Sequence, residues 1–274
     1  MNRRSCLVLG LAAAIPTVGC RSSAGSPSQT LRVATTTSTR DSGLIDQLIP
    51  VFETESGLRV KLIAVGSGKA LELGRRGDVD VILVHSEKDE DRFMENGHGV
   101  RRDAVMFNFF EILGPTSDPA VIRDCTAVEA MKKIKTGKSP FVSRGDNSGT
   151  HRRELELWNQ ANLETGWEGY LETGQGMGPT LTIASQKQAY CLCDRGTYLA
   201  RKQGLGLVPL ARRSPALKNP YSAICIAPHG NHRIREKEAD RFVEFLISSR
   251  AQELIESFRI DGEPLFHPLR LVKQ

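Results

Sequence analysis

Four times in this chain an apolar run gives way to glycines and hydroxyl or amide side chains, and a helical pattern begins at once. The junctions are ATTTSTRDSG (34–43), AVGSGKAL (64–71), SRGDNSGTH (143–151) and TGQGMGPT (173–180). A strand-to-helix junction leaves the first N–H groups of the helix without partners, and the helix dipole adds partial positive charge there. Glycine lets another group approach the backbone, and Ser or Thr hydroxyls are rotatable donors. Ordinary capping explains one such junction, because Ser, Thr and Asp are common N-cap residues. Four, two in each half of the chain, point to helix starts gathered around a small anion.

Between the junctions, short apolar runs alternate with amphipathic patterns, which defines an α/β fold. LRVATT, RVKLIAVG, VDVILVH, PFVSR, AYCLC and PYSAICIAP read as strands. DSGLIDQLIPVFETESG has Leu44, Ile45, Leu48, Ile49 and Phe52 at helical spacing and stops at Gly57. GKALELGRR, EKDEDRFMENG, TAVEAMKKIKTG, THRRELELWNQAN, MGPTLTIASQKQ and RGTYLARKQG also read as helices. EADRFVEFLISSRAQELIESF is helical with a break near Ser248–Ser249, and MFNFFEILGP is long enough to cross between two lobes.

The N-terminus reads as an export signal. MNRRSCLVLGLAAAIPTVGC has a basic start, an apolar segment and a small-residue end. TVGC resembles a lipoprotein box, with Thr17 in place of the usual leucine, which makes Cys20 the lipidated first residue of the mature chain. Arg3-Arg4 loosely resembles a twin-arginine signal. Residues 1–20 are thus a lipoprotein-type signal peptide and 21–30 a flexible tether rich in Ser. Export leaves Cys125, Cys191, Cys193 and Cys225, which allow three disulfide pairings or serve as small buried hydrophobes. No CxxC occurs and the six histidines are dispersed, so no metal site is expected. The net charge of +5 is scattered, with only 6% aromatics, unlike a nucleic-acid surface.

ATTTSTRDSGL, VGSGKAL, GDVDVILVH, SRGDNSGTHRRE, GQGMG and DRGTYLA together resemble the tungstate-binding proteins of bacterial and archaeal ABC importers. The similarity runs from about Leu31 to the final helices. It implies a two-lobed, periplasmic-binding-protein-like (type II) fold with a ligand cleft, one lobe from 31–112 and 220–274 and the other from 113–219. It also implies an exported, periplasmic or cell-surface monomer that carries tungstate or molybdate to a membrane permease, without cofactor or catalysis. By motif, Thr36, Thr37, Ser38 and Ser67 are the ligand donors of the first lobe. Arg144, Ser148, Gly149, Thr150, Gly176 and Met177 are those of the second.

A proton-free dianion requires donors alone around it. Asp146 is therefore expected to brace Arg144 or cap the helix, and Asp41 to cap its own. Lys69 stands where a neutral residue is expected in relatives; lysine stems are usually exposed, which assigns it to solvent. Arg195 is expected to pair with Asp194 or another acid. GSGKA lacks the magnesium-binding hydroxyl of a nucleotide loop, because the residue after the lysine is Ala70. Ser148, His151 and Asp146 invite a hydrolase triad, but the GxSxG elbow is absent. The rival reading is a phosphate receptor, since residues 144–150 also fit R-x-D-x-S-G-T; it requires an acid in the cleft to accept the ligand's proton. An anion-sensing lipoprotein is the alternative outside transport.

Overall fold

The structure is a computed structural model that describes residues 30–228 and 233–271. The signal peptide, nearly all of the tether and Cys20 lie outside the described residues. The first lobe opens with β1 (Thr30–Thr36), followed by α1 (Thr37–Asp41) and α2 (Leu44–Ser56). β2 (Arg59–Val65), α3 (Ser67–Arg75), β3 (Val81–Val84) and α4 (Glu87–Glu95) come next. β1 lies between β2 and β3 in parallel register, and the helical connections cover the sheet. β3 is buried throughout and reads as a continuous apolar run for that reason.

The region expected to be one helix from Asp41 is two. Gly43 sits at φ +84°, where a right-handed helix cannot continue, so α1 ends and α2 begins with Gly43 as its cap. Asp41 is consequently the last residue of α1 and not a helix cap. Its carboxylate accepts from Arg40 Nε at 2.9 Å and from Nη2 at 2.7 Å. The end of α2 follows expectation, with Gly57 at φ +71° donating its N–H to Glu53 O.

β4 (Gly99–Pro115) is seventeen residues long and belongs to both lobes. It then leads into the second lobe: α5 (Ala127–Thr136), β5 (Phe141–Ser143), α6 (Gly149–Gln160), β6 (Tyr170–Glu172) and α7 (Met177–Gln186). β7 (Cys191–Asp194), α8 (Arg195–Arg201) and β8 (Leu207–Pro209) complete that lobe. The chain returns through β9 (Lys218–Ile226), α9 (Glu236–Ile247) and α10 (Ser249–Ser257). β10 (Arg259–Ile260), β11 (Glu263–Pro264) and β12 (His267–Pro268) end it. Ser248 closes α9 and caps α10, its hydroxyl accepting from Ala251 N at 3.3 Å, which is the expected break.

Up to Phe109, β4 pairs antiparallel with β9; from Phe110 onward it pairs with β7 and β8. The first-lobe sheet runs β12-β4-β9-β3-β1-β2. At the change of partner, Asn219 Nδ2 donates to Asn108 Oδ1 at 2.8 Å, and both amides reach the hydroxyl of the buried Tyr221 at 3.2 Å. The polar trio satisfies itself where the two strands leave one lobe for the other.

Cys191 and Cys193 face the same side of β7 in the apolar interior, Cys225 is buried in β9, and all four described cysteines are free thiols. Arg195 pairs with Glu111 at 2.9 Å and Glu263 at 2.6 Å, acids other than Asp194.

Candidate anion-binding cleft

All ten residues expected to hold the ligand line one cleft between the lobes, of about 450 Å³. Their grouping follows from topology. β1 and β2 are parallel neighbours, so α1 and α3 start at the same edge of the first-lobe sheet. In the second lobe Thr173 N donates to Ser143 O at 3.0 Å, and Thr173 Oγ1 to Arg144 O at 3.2 Å. These bonds tie the start of α7 beside that of α6.

Donors are left over at these starts. Gly66 and Gly176, the caps of α3 and α7, offer no side chain to the first turn, and neither turn contains an acid. Their leading N–H groups therefore remain for another acceptor. The hydroxyls of Thr37, Ser67 and Thr150 make no hydrogen bond among the described residues. Thr36 and Ser148 are partly committed as caps, accepting from Thr39 N at 3.2 Å and His151 N at 3.4 Å.

Arg144 enters the cleft from the loop before α6. Gly145 at φ +60° and Asn147 at φ +56° both take the left-handed conformation, which folds the loop back on itself. Asp146 then meets Arg144 Nη2 at 2.5 Å, while its other oxygen accepts from Ser148 N at 3.1 Å. Partial burial alone would raise the Asp146 carboxyl, but Ser148 and the Arg144 charge outweigh it and hold the group below its ordinary value. Asp146 thus braces the arginine and orders the turn. Arg144 Nε remains buried without a partner, a donor that a bound anion would satisfy.

The cleft also contains residues not foreseen. A fifth junction, from β7 into α8, brings Asp194, Gly196, Thr197 and Arg201 to its wall. DRGTYLA is among the motifs that carry the family resemblance, but Arg195 alone stands out within it as a candidate, and that side chain turns away to Glu111 and Glu263. Asp194 is engaged at both oxygens by the turn it caps: Oδ1 accepts from Thr197 N at 2.9 Å and Oδ2 from Thr197 Oγ1 at 2.7 Å. His85, following β3, lines the floor with Nδ1 at 3.0 Å from Asn219 Oδ1. Burial first, and the Arg144 charge, lower its pKa against the opposing effects of Asp194 and Asn219, which keeps it neutral at pH 7. Lys69 is exposed and does not line the cleft.

No nucleophile–base pair forms at Ser148. Its hydroxyl faces the backbone N–H of His151, and His151 Nδ1 accepts from Asn147 N at 3.0 Å. With Nδ1 accepting, the neutral ring carries its proton on Nε2, which has no hydrogen-bond partner among the described residues and no lone pair to take a proton from Ser148.

Two α/β lobes joined by crossing strands, with helix starts facing a cleft, define a periplasmic-type binding protein. The chain belongs to this class: the model of the PBP superfamily domain matches residues 21–250. Within the class it is 42% identical over 241 residues to the tungstate-binding protein TupA of Peptoclostridium acidaminophilum, covering 86% of this chain and 84% of that one. Among solved structures it is similar to the tungstate-binding protein TupA of Desulfovibrio alaskensis G20, with TM-score 0.81 and 39% identity over 88% of this chain and 99% of that one. It is also similar to the tungstate ABC transporter protein of Geobacter sulfurreducens, with TM-score 0.76 and 43% identity over 84% and 98% of the two chains.

Proposed function

We propose that this protein is the extracytoplasmic receptor of an ABC importer, capturing tungstate between its lobes and delivering it to the membrane permease. The observation that carries the reading is the surplus of donors in the cleft: uncapped helix starts, hydroxyls without intramolecular partners and the orphaned Arg144 Nε, while Asp41, Asp146 and Asp194 are already engaged by Arg40, by Arg144 with Ser148, and by Thr197. Such a wall suits a tetrahedral oxyanion that has lost all its protons. Phosphate keeps a proton near neutrality and needs a carboxylate to accept it, and the acids of the cleft are each already engaged within the protein, which disfavours the rival receptor. Molybdate has the same charge and shape as tungstate and is accepted on the same ground.

The role is binding and delivery without a chemical step. Cys20, acylated after export, ties the receptor to the membrane through the tether; fatty-acid labelling that survives Cys20→Ala would refute that anchor. Competition calorimetry with tungstate, molybdate, sulfate and phosphate tests the specificity. Tight binding of the first two, with phosphate failing to compete, is the expected result. Phosphate binding at least as tightly as tungstate would overturn the assignment.

A further inference from the structure

Arg144 shares its charge with Asp146, so it does not by itself match a dianion. Arg201, the last residue of α8, is a second cation on the cleft wall. Its neighbour Lys202 has acids to hold, Glu263 at 2.9 Å and Asp261 at 3.6 Å. Arg201 has none among the described residues; of the other acids of the cleft, Asp41 pairs with Arg40, and Asp194 caps α8 through Thr197 without an ion pair to Arg201. Its guanidinium lies against Gly178 in the first turn of α7. A Cβ on Gly178 would come within 2.8 Å of Cζ, 2.9 Å of Nη2 and 3.1 Å of Nε, so the flat group rests where only glycine leaves room. A cation at the positive end of a helix is electrostatically misplaced unless an anion joins it.

We infer that Arg201 is a specificity-determining residue of the cleft: a cation without an ion-pair partner, whose attraction favours a doubly charged oxyanion over singly charged ones. The inference rests on the proposed function, because it presupposes an oxyanion between the lobes. Dianion and monoanion of one shape separate charge from fit. Tungstate and perrhenate are both tetrahedral and similar in size, and differ by one charge.

The experiment measures tungstate and perrhenate affinity by calorimetry for the wild type, Arg201→Gln and Arg201→Lys over a range of salt concentrations. For Arg201→Gln, tungstate affinity should fall by roughly tenfold or more, the usual loss of a charge-assisted contact. Perrhenate affinity should fall distinctly less, and the salt dependence of tungstate binding should become shallower. Arg201→Lys, which retains the charge, should keep most of the preference. Unchanged tungstate affinity in Arg201→Gln, or equal losses for both anions, would overturn the inference while leaving the receptor reading intact. A wild type that binds no tungstate would overturn the receptor reading itself.

Discussion

Arg144 owes its place to residues that never face the cleft. Gly145 is held at φ +60°, and a Cβ there would fall 2.8 Å from Glu172 Cβ. Gly145→Ala should therefore cost roughly 1–2 kcal/mol in stability through the left-handed backbone and weaken anion binding by releasing the Asp146 brace; thermal melts and calorimetry together check both effects. Arg144→Ala should reduce tungstate affinity by about a hundredfold or more, because it deletes a charge-assisted donor in a partly closed site. Retained tight binding would contradict the site. Much of this was legible in the sequence, since Thr36, Ser67, Arg144 and Met177 all stand at junctions whose composition advertises free donors. Arg201 was not legible, because its role depends on how α8 leans on α7, a contact no local pattern encodes. Asp41 misled for a related reason: an acid before an apolar helix looks like a cap until Gly43 breaks the helix after it.

Helix α6 carries a second consequence besides the anion site. Its buried Glu154 accepts from Trp158 Nε1 at 3.1 Å and Tyr170 OH at 2.8 Å. Burial raises its carboxyl pKa from 4.5 to about 7, against the hydrogen bonds of Ser143, Tyr170 and Trp158. Glu90 in α4 is raised to about 7 by burial as well. A raised acid favours the folded state fully below its unfolded pKa and loses that contribution as pH climbs through the folded one. The melting temperature should therefore fall as pH rises from about 4.5 to about 7 and level off above that, with Glu154 accounting for on the order of 3 kcal/mol over the whole range. Glu154→Gln keeps an acceptor for both donors and should raise the melting temperature at pH 8 while flattening the pH profile, leaving the share of Glu90. A variant as pH-sensitive as the wild type would refute the assignment. Most strands and helices were readable from periodicity. The three-residue β6 and β8 were not, because pairing to a partner, not pattern, defines strands so short.

At the scale of the whole molecule, the cleft is larger than its proposed guest. Its volume of about 450 Å³ would hold about fifteen water molecules at ~30 Å³ each, more than one tetrahedral oxyanion fills. Contacts to every donor at once require the lobes to approach, bending where β4 changes partner near Asn108 and where β9 begins near Asn219. Small-angle scattering should show a smaller radius of gyration with tungstate than without, and no contraction in Arg144→Ala. An unchanged radius in the wild type would mean that the anion is held by one lobe alone. The two-lobed division was readable from the apolar run 106–115, whereas its bending point was not, because Asn108 and Asn219 lie 111 residues apart in sequence. The single strand that serves both sheets also limits how the protein can be recombined. Exchanging one half for a relative's means grafting at two splice sites, and the one inside β4 must keep the strand's alternation continuous, since a single inserted or deleted residue turns every side chain beyond it to the wrong face.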